Sequence, residues 1–152
     1  MNTKNIISRE NLLDFLQKKH NVTNVKSLIH KETLSNFINR NSELAKIPKS
    51  NLFIFRPEYF VIYQNQNKLE SIIINFSESS ISLKDISYAQ LQSKISNCSK
   101  SIYISTNGLS HDLYNVLFTN PRLKDNLLTY NCKKIELFRF NLNDFSFYEE
   151  EY

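Results

Sequence analysis

One glycine, Gly108, in 152 residues removes a class of folds before any other feature is weighed. The GxGxxG loop of dinucleotide-binding folds and the GxxxxGK[ST] loop of P-loop enzymes need several glycines, so that backbone N–H groups can approach phosphate closely. Neither can be built here, and nucleotide binding of those two kinds is set aside. Left-handed turn positions must fall to other residues. The twenty asparagines are the natural occupants, because Asn tolerates that region better than most residues with a side chain. The Asn, Lys, Ile, Tyr and Phe bias is also what an AT-rich coding sequence produces.

The length suits a single domain over residues 1–152, and 41% hydrophobic residues, with 11 Phe and 8 Tyr, suffice for a substantial core. No run approaches the roughly 18 apolar residues of a membrane span, and MNTKNIISRENLL lacks the long apolar core of a secretory signal. These features predict a soluble, intracellular, cytoplasmic protein without membrane contact. Cys98 and Cys132 lack CxxC spacing, which argues against a zinc knuckle or a disulfide framework and for two reduced structural thiols. The net charge is +4, rising to +7 when Glu149, Glu150 and Glu151 are set aside. A body of that charge favours an anionic partner without demanding one.

Along the chain the apolar period changes once. Residues 8–20 place Leu12, Leu13, Phe15 and Leu16 on one helical face behind a Ser8 N-cap. A second helix is expected from Asn24 to Asn39, with Val25, Leu28, Ile29, Leu34, Phe37 and Ile38 at helical spacing; the two would form a hairpin within residues 1–45. Pro48 breaks the pattern. From Leu52 the runs LFIF, YFVIY and LESIIINF read as strands, the last two joined by the QNQNK turn. A helix follows from Ser82 with Leu83, Ile86, Leu91 and Ile95 as its apolar face, then the strand SIYIST, a short helix capped by Ser110, a polar passage containing Pro121, and the strand KKIELFRFNL. Residues 52–142 would form an α/β (α+β) core, a mixed sheet of four to five strands flanked by helices, and residues 143–152 an acidic tail.

Arg56-Pro57-Glu58-Tyr59 at the start of a hairpin strand, Ile74-Asn75-Phe76-Ser77 on the next, a helix with Gln90 and Gln92, and Thr106-Asn107-Gly108 at the end of the following strand resemble, in order and spacing, the PD-(D/E)XK nuclease superfamily. The pattern is most similar to the N-terminal nuclease domain of type I restriction enzyme restriction subunits, over about residues 52 to 140. The resemblance implies a restriction endonuclease-like fold. It also implies two carboxylates on adjacent strands that hold Mg²⁺, which activates water against the scissile phosphate, and a lysine beside them. Glu58 matches the first carboxylate and would be the metal ligand. Asn75 and Ser77 stand where the second carboxylate and the lysine belong, and neither can replace them chemically.

Three functions remain in play. The first is an inactive nuclease-fold protein that binds nucleic acid or serves as a subunit of a nucleic-acid-processing or defence complex, with no cofactor; Lys18, Lys19, Lys26, Lys31, Arg56, Lys84 and Gln90 are its candidate contacts. The second is a small protein-interaction or inhibitory protein of viral, phage or mobile-element origin, with the EEEY end as docking segment. The third is an active Mg²⁺-dependent endonuclease whose site is rearranged, with Glu70 or Glu78 as second carboxylate and Lys84 as a migrated lysine. Oligomerisation is left open by the sequence. Ser110-His111-Asp112 reads as a helix start rather than an acid-base pair, His20 and His30 have no partner at metal-ligand spacing, and Glu58 is expected to pair with Arg56 or Lys68. Tyr59, Tyr63, Tyr88 and Tyr103 are expected at core edges.

Overall fold

The computed structural model describes residues 7–41, 47, 54–130 and 133–152, and its elements are a mixed sheet with helices on both faces. The order is α1 (Arg9–His20), β1 (Val25–His30), α2 (Lys31–Arg40), β2 (Tyr59–Asn65), β3 (Lys68–Phe76), α3 (Leu83–Ser96), β4 (Lys100–Ser105), α4 (His111–Thr119), α5 (Pro121–Leu128), β5 (Thr129–Tyr130), β6 (Lys133–Asn141) and β7 (Ser146–Glu149). The seven strands run β1-β2-β3-β4-β6, with β5 and β7 both paired to β6. Strands β1, β2 and β3 are antiparallel neighbours, whereas β3, β4 and β6 are parallel and joined through the helices.

Period-two alternation sorts the core onto two sides of this sheet. Val61, Tyr63, Ile72, Ile74, Ile102, Phe138 and Phe140 pack beneath α1 with Leu12, Phe15 and Leu16. Phe60, Ile62 and Ile73 face the other way, beneath Leu34 and Ile38 of α2, and Tyr103, Ile135 and Leu137 do so beneath α3, α4 and α5. Ile72, Ile73 and Ile74 are buried on both sides, so β3 is the central strand.

The chain from Asn24 to Asn39 is not one helix. Leu28 and Ile29 are both buried, but in opposite core layers, which only an extended strand can arrange. His30 then ends β1 and caps α2, its Nδ1 accepting from the Glu32 N–H at 3.3 Å. No helical hairpin exists, and Lys18, Lys19, Lys26 and Lys31 are spread over α1, β1 and α2. The expected LFIF strand falls partly outside the described residues, and Ile54 and Phe55 are in irregular backbone. On α3, Ile86 is buried and Ile95 packs against the core as expected, but Leu83 and Leu91 face solvent, and Ala89, Gln92, Ser93 and Ser96 complete the buried face instead. The passage after Asn120 is helical, with Pro121 in the first turn, where a missing N–H costs nothing, and Asn120 as cap. Residues 143–152 are not a solvated tail: Phe147 is buried in β7, and Glu150 accepts from Arg139 at 3.2 Å.

The left-handed positions are filled as the scarcity of glycine requires. Asn21 and Asn97 terminate α1 and α3 at φ 55° and 48°, and Gln66 turns the β2–β3 hairpin at φ 56°. Gly108, at φ 78°, is needed for a second reason, since a Cβ there would overlap the Arg139 guanidinium.

Candidate functional site

Because β1 and β3 both run against β2, the end of β1, the start of β2 and the end of β3 meet at one edge of the sheet. It is also the carboxyl edge of the parallel strands, where open α/β sheets leave their ligand crevices. A cleft of about 760 Å³ opens there. Glu58, Asn75 and Ser77 all line it, together with Lys31, Arg56, Glu78, Asp85, Tyr88 and Tyr103.

These three residues, Glu58 just before β2, Asn75 in β3 and Ser77 just after it, are nearly buried, at 6%, 4% and 7% exposure, so their hydrogen bonds decide what they can do. Glu58 accepts from His30, Oε1 to Nε2 at 3.0 Å; Nδ1 of that ring already accepts the Glu32 N–H, which puts the hydrogen on Nε2. A histidine from β1 is thus a partner of Glu58, where Arg56 or Lys68 was expected. Asn75 donates its Nδ2 to Gln92 Oε1 at 2.6 Å, across the strand-to-helix interface. Ser77 donates to the Ser80 carbonyl at 3.0 Å.

The second well-placed carboxylate is Asp85, from the first turn of α3. Its Oδ2 accepts the Ser82 N–H at 2.9 Å, closing a capping box, and its Oδ1 accepts from Tyr103 at 3.1 Å. Burial, reinforced by the Asp85 charge, holds the Tyr103 hydroxyl well above its ordinary range, so it remains a donor. Only Ser82 marked this helix start in the sequence; the Ser82-x-x-Asp85 spacing is the signal that could have found Asp85, yet nothing local indicates that it lines the same cleft as Asn75. Tyr88, also from α3, accepts the Arg56 N–H at 3.3 Å and donates to the Ile54 carbonyl at 3.0 Å, tying the entry of β2 to the helix. The Lys31 N–H donates to the Glu58 carbonyl at 2.9 Å, which fixes the start of α2 at the cleft.

The remaining predicted site residues lie elsewhere. Glu70 pairs with Tyr63, five residues from Asn75 and so about 16 Å along the strand. Tyr63 and Asn65 hold its carboxyl below the ordinary range, mainly through the Tyr63 hydrogen bond. Lys84 is exposed on α3 and does not line the cleft, while Glu78 is exposed and does. Gln90 donates to the Asn126 and Leu127 carbonyls at 3.0 and 2.6 Å, a bond between α3 and the end of α5 rather than a free contact. Lys18 pairs with Asp14 at 3.0 Å on the surface of α1, and Lys19 and Lys26 are exposed. Of the predicted cations, Lys31 and Arg56 reach the cleft.

This donor set does not fit the Mg²⁺ centre that the resemblance implies. Asn75 can offer a cation only an uncharged amide oxygen, Ser77 brings no charge, and the oxygens of Asp85 accept from Ser82 in the capping turn and from Tyr103 of β4. Among the described residues no three His, Cys, Asp or Glu side chains are gathered as metal ligands. Cys98 is buried with its thiol pushed up by burial, and Cys132 lies outside the described residues. No helix among the described residues is long and apolar enough to cross a membrane. Set against known protein families, curated proteins and solved structures, the chain matches none.

Proposed function

We propose that this chain is a restriction endonuclease-like protein without hydrolytic activity, whose cleft holds a nucleic-acid strand by its backbone. The observation that carries the reading is the Asn75 to Gln92 bond. At the position beside Glu58 where metal-dependent cleavage needs a second charged ligand, the chain has an amide, tied to the helix wall through its nitrogen and offering a cation only an uncharged oxygen. The acids beside it are hydrogen-bonded too, Glu58 to His30 and Asp85 to Ser82 and Tyr103. Lys31 and Arg56 line the same cleft, and phosphate contacts of that kind position a strand without reading its sequence. The hairpin, the crossover helix and the parallel strand after it follow the order expected of the superfamily.

Fluorescence anisotropy with a labelled DNA duplex tests this between about 50 and 200 mM salt. Binding is expected to weaken as salt rises, and the paired substitution Lys31→Gln with Arg56→Gln is expected to flatten the log–log slope by roughly two. No binding at about 50 mM salt, or an unchanged slope in the double variant, refutes the nucleic-acid reading. Incubation with Mg²⁺ or Mn²⁺ is expected to leave the duplex intact. Metal-dependent cleavage that disappears in Glu58→Ala would show the site to be active.

A further inference from the structure

The carboxyl edge of the sheet holds a second cavity beside the cleft. It is a recess of about 650 Å³, walled by Leu109, His111 and Tyr114 on one side and by Arg139, Tyr148 and Glu150 on the other. Strand register places both cavities on the same face of the sheet. Arg139 pairs with Tyr148 and stands two residues after Leu137, which shares its core layer with Tyr103 of the cleft. One bridge joins the two. Ile81, between Ser80 and Ser82 of the cleft wall, pairs with Leu109 of the recess at a strand spacing of about 4.8 Å. Two 2.8 Å hydrogen bonds fix that bridge, from the Ile81 N–H to the Gly108 carbonyl and from the Ser110 N–H to the Ile81 carbonyl.

The chemistry of the recess differs from that of the cleft. Tyr114 and Tyr148 are 41% and 49% exposed, yet both rings are held in place. Phe118 backs Tyr114 in a stacked pair at 5.7 Å, and the Tyr148 hydroxyl donates to Asp144 at 2.6 Å. Arg139 gives its Nε hydrogen to Glu150 at 3.2 Å, so the two charges offset each other, and His111 Nε2 accepts from Asn115 at 3.2 Å. Among the described residues, no Lys or Arg without a carboxylate partner lines the recess for a phosphate to use. Fixed aromatic rings beside a neutral donor–acceptor pair suit an uncharged planar heterocycle instead: the rings stack on its face, while the Arg139 Nη groups and the Glu150 carboxylate meet its polar edge. We propose that the recess is a base subsite. The inference rests on the reading of the cleft as a strand-backbone site: a single strand leaves the cleft across the Ile81–Leu109 bridge and lays one unstacked base against Tyr114 and Tyr148. A duplex keeps its bases paired and stacked, so the subsite favours single-stranded nucleic acid.

The probes are a labelled single-stranded DNA oligonucleotide and the duplex of the same length, titrated against the full chain by anisotropy at about 50 to 200 mM salt. The single strand is expected to bind the parent more tightly than the duplex, a comparison that depends on no variant. Tyr114→Ser with Tyr148→Ser should weaken single-strand binding about tenfold while leaving its salt slope and the duplex affinity unchanged, because a stacked base is lost and no phosphate contact. Tyr114→Phe with Tyr148→Phe keeps both rings and should bind as the parent does. Thermal melts verify that each variant is folded. If the parent binds both probes equally, or if the serine pair binds the single strand as the parent does, no base occupies the recess, and the cleft reading stands without it. A phenylalanine pair as weak as the serine pair would trace the effect to the hydroxyls rather than the rings, and overturns the subsite as well. If the parent binds neither probe at about 50 mM salt, the cleft reading falls and the subsite falls with it.

Discussion

The pair formed by Asn75 and Gln92 makes a prediction that a double-mutant cycle can decide. Gln92 is fully buried; its Oε1 accepts from Asn75 at 2.6 Å, and its Nε2 has no hydrogen-bond partner among the described residues. Replacing Asn75 by leucine, close to it in size, leaves the entire Gln92 amide without a partner, and one unsatisfied buried group costs about 1–3 kcal/mol. The single variant Asn75→Leu should therefore lose about 2 kcal/mol, a fall in Tm of roughly 4–8 °C for a chain of this size. Gln92→Leu removes the orphaned Nε2 as well as the acceptor, so its gain and its loss nearly cancel, and its stability should lie close to the parent. Combining the two removes every polar group of the pair. The double variant should be about 2 kcal/mol more stable than Asn75→Leu alone, giving a coupling energy of that size. Urea unfolding followed by circular dichroism, with the m-value held as a check, supplies the numbers. Additive effects, or a Gln92→Leu variant less stable than Asn75→Leu, would refute the view that this wall of the cleft is a closed amide pair.

Two further outcomes follow from groups outside the cleft. Burial first, and Lys100 second, lower the pKa of His20 to about 4, while the unfolded chain protonates it near 6.5, so stability is full above about 6.5 and declines by up to about 3 kcal/mol as pH falls toward 4. Glu136, 3.4 Å away and raised by burial, takes up a proton in the folded state and offsets part of this loss, and urea melts at pH 5 and 7 should differ less in His20→Phe than in the parent. An unchanged difference would remove His20 as its source. At the sheet edge, Gly108→Ala puts a side chain at a left-handed backbone position and makes the Arg139 guanidinium move aside, and should cost about 1–2 kcal/mol in a thermal melt; a neutral substitution would mean that the backbone at 108 is not left-handed.

What could be read from sequence alone followed the strength of local signals. The β2–β3 hairpin was legible because two apolar runs flank a polar turn, and α1, α3 and α4 because Ser8, Ser82 and Ser110 mark their starts. The segment after Asn24 was not, since Val25, Leu28 and Ile29 fit a helical stripe as well as they fit a strand exposed to two core layers. Likewise β7 was hidden, because its pairing to β6 outweighs the acidic character of its last residues. Glu58, Asn75 and Ser77 were recognisable as one cluster through strand register. Their surroundings were less so: His30 comes from a segment whose apolar spacing suits a helix, Asp85 carries no local sign of facing the cleft, and the Asn75 contact with Gln92 depends on how α3 lies on the sheet.

The stacking of Phe15 on Phe147, with ring centroids 4.3 Å apart, bears on the order in which the chain can fold during synthesis. Helix α1 leaves the ribosome early, but the surface that its Phe15 covers is completed by a strand made more than a hundred residues later. Until β7 pairs with β6, the apolar stripe of α1 has only part of its seat, and the nascent chain must carry that exposed stripe through most of translation. Contacts of such sequence separation are expensive in loop entropy and form late. A chain arrested just before residue 146 should accordingly be prone to protease and chaperone capture even though most of its sheet has already been synthesised.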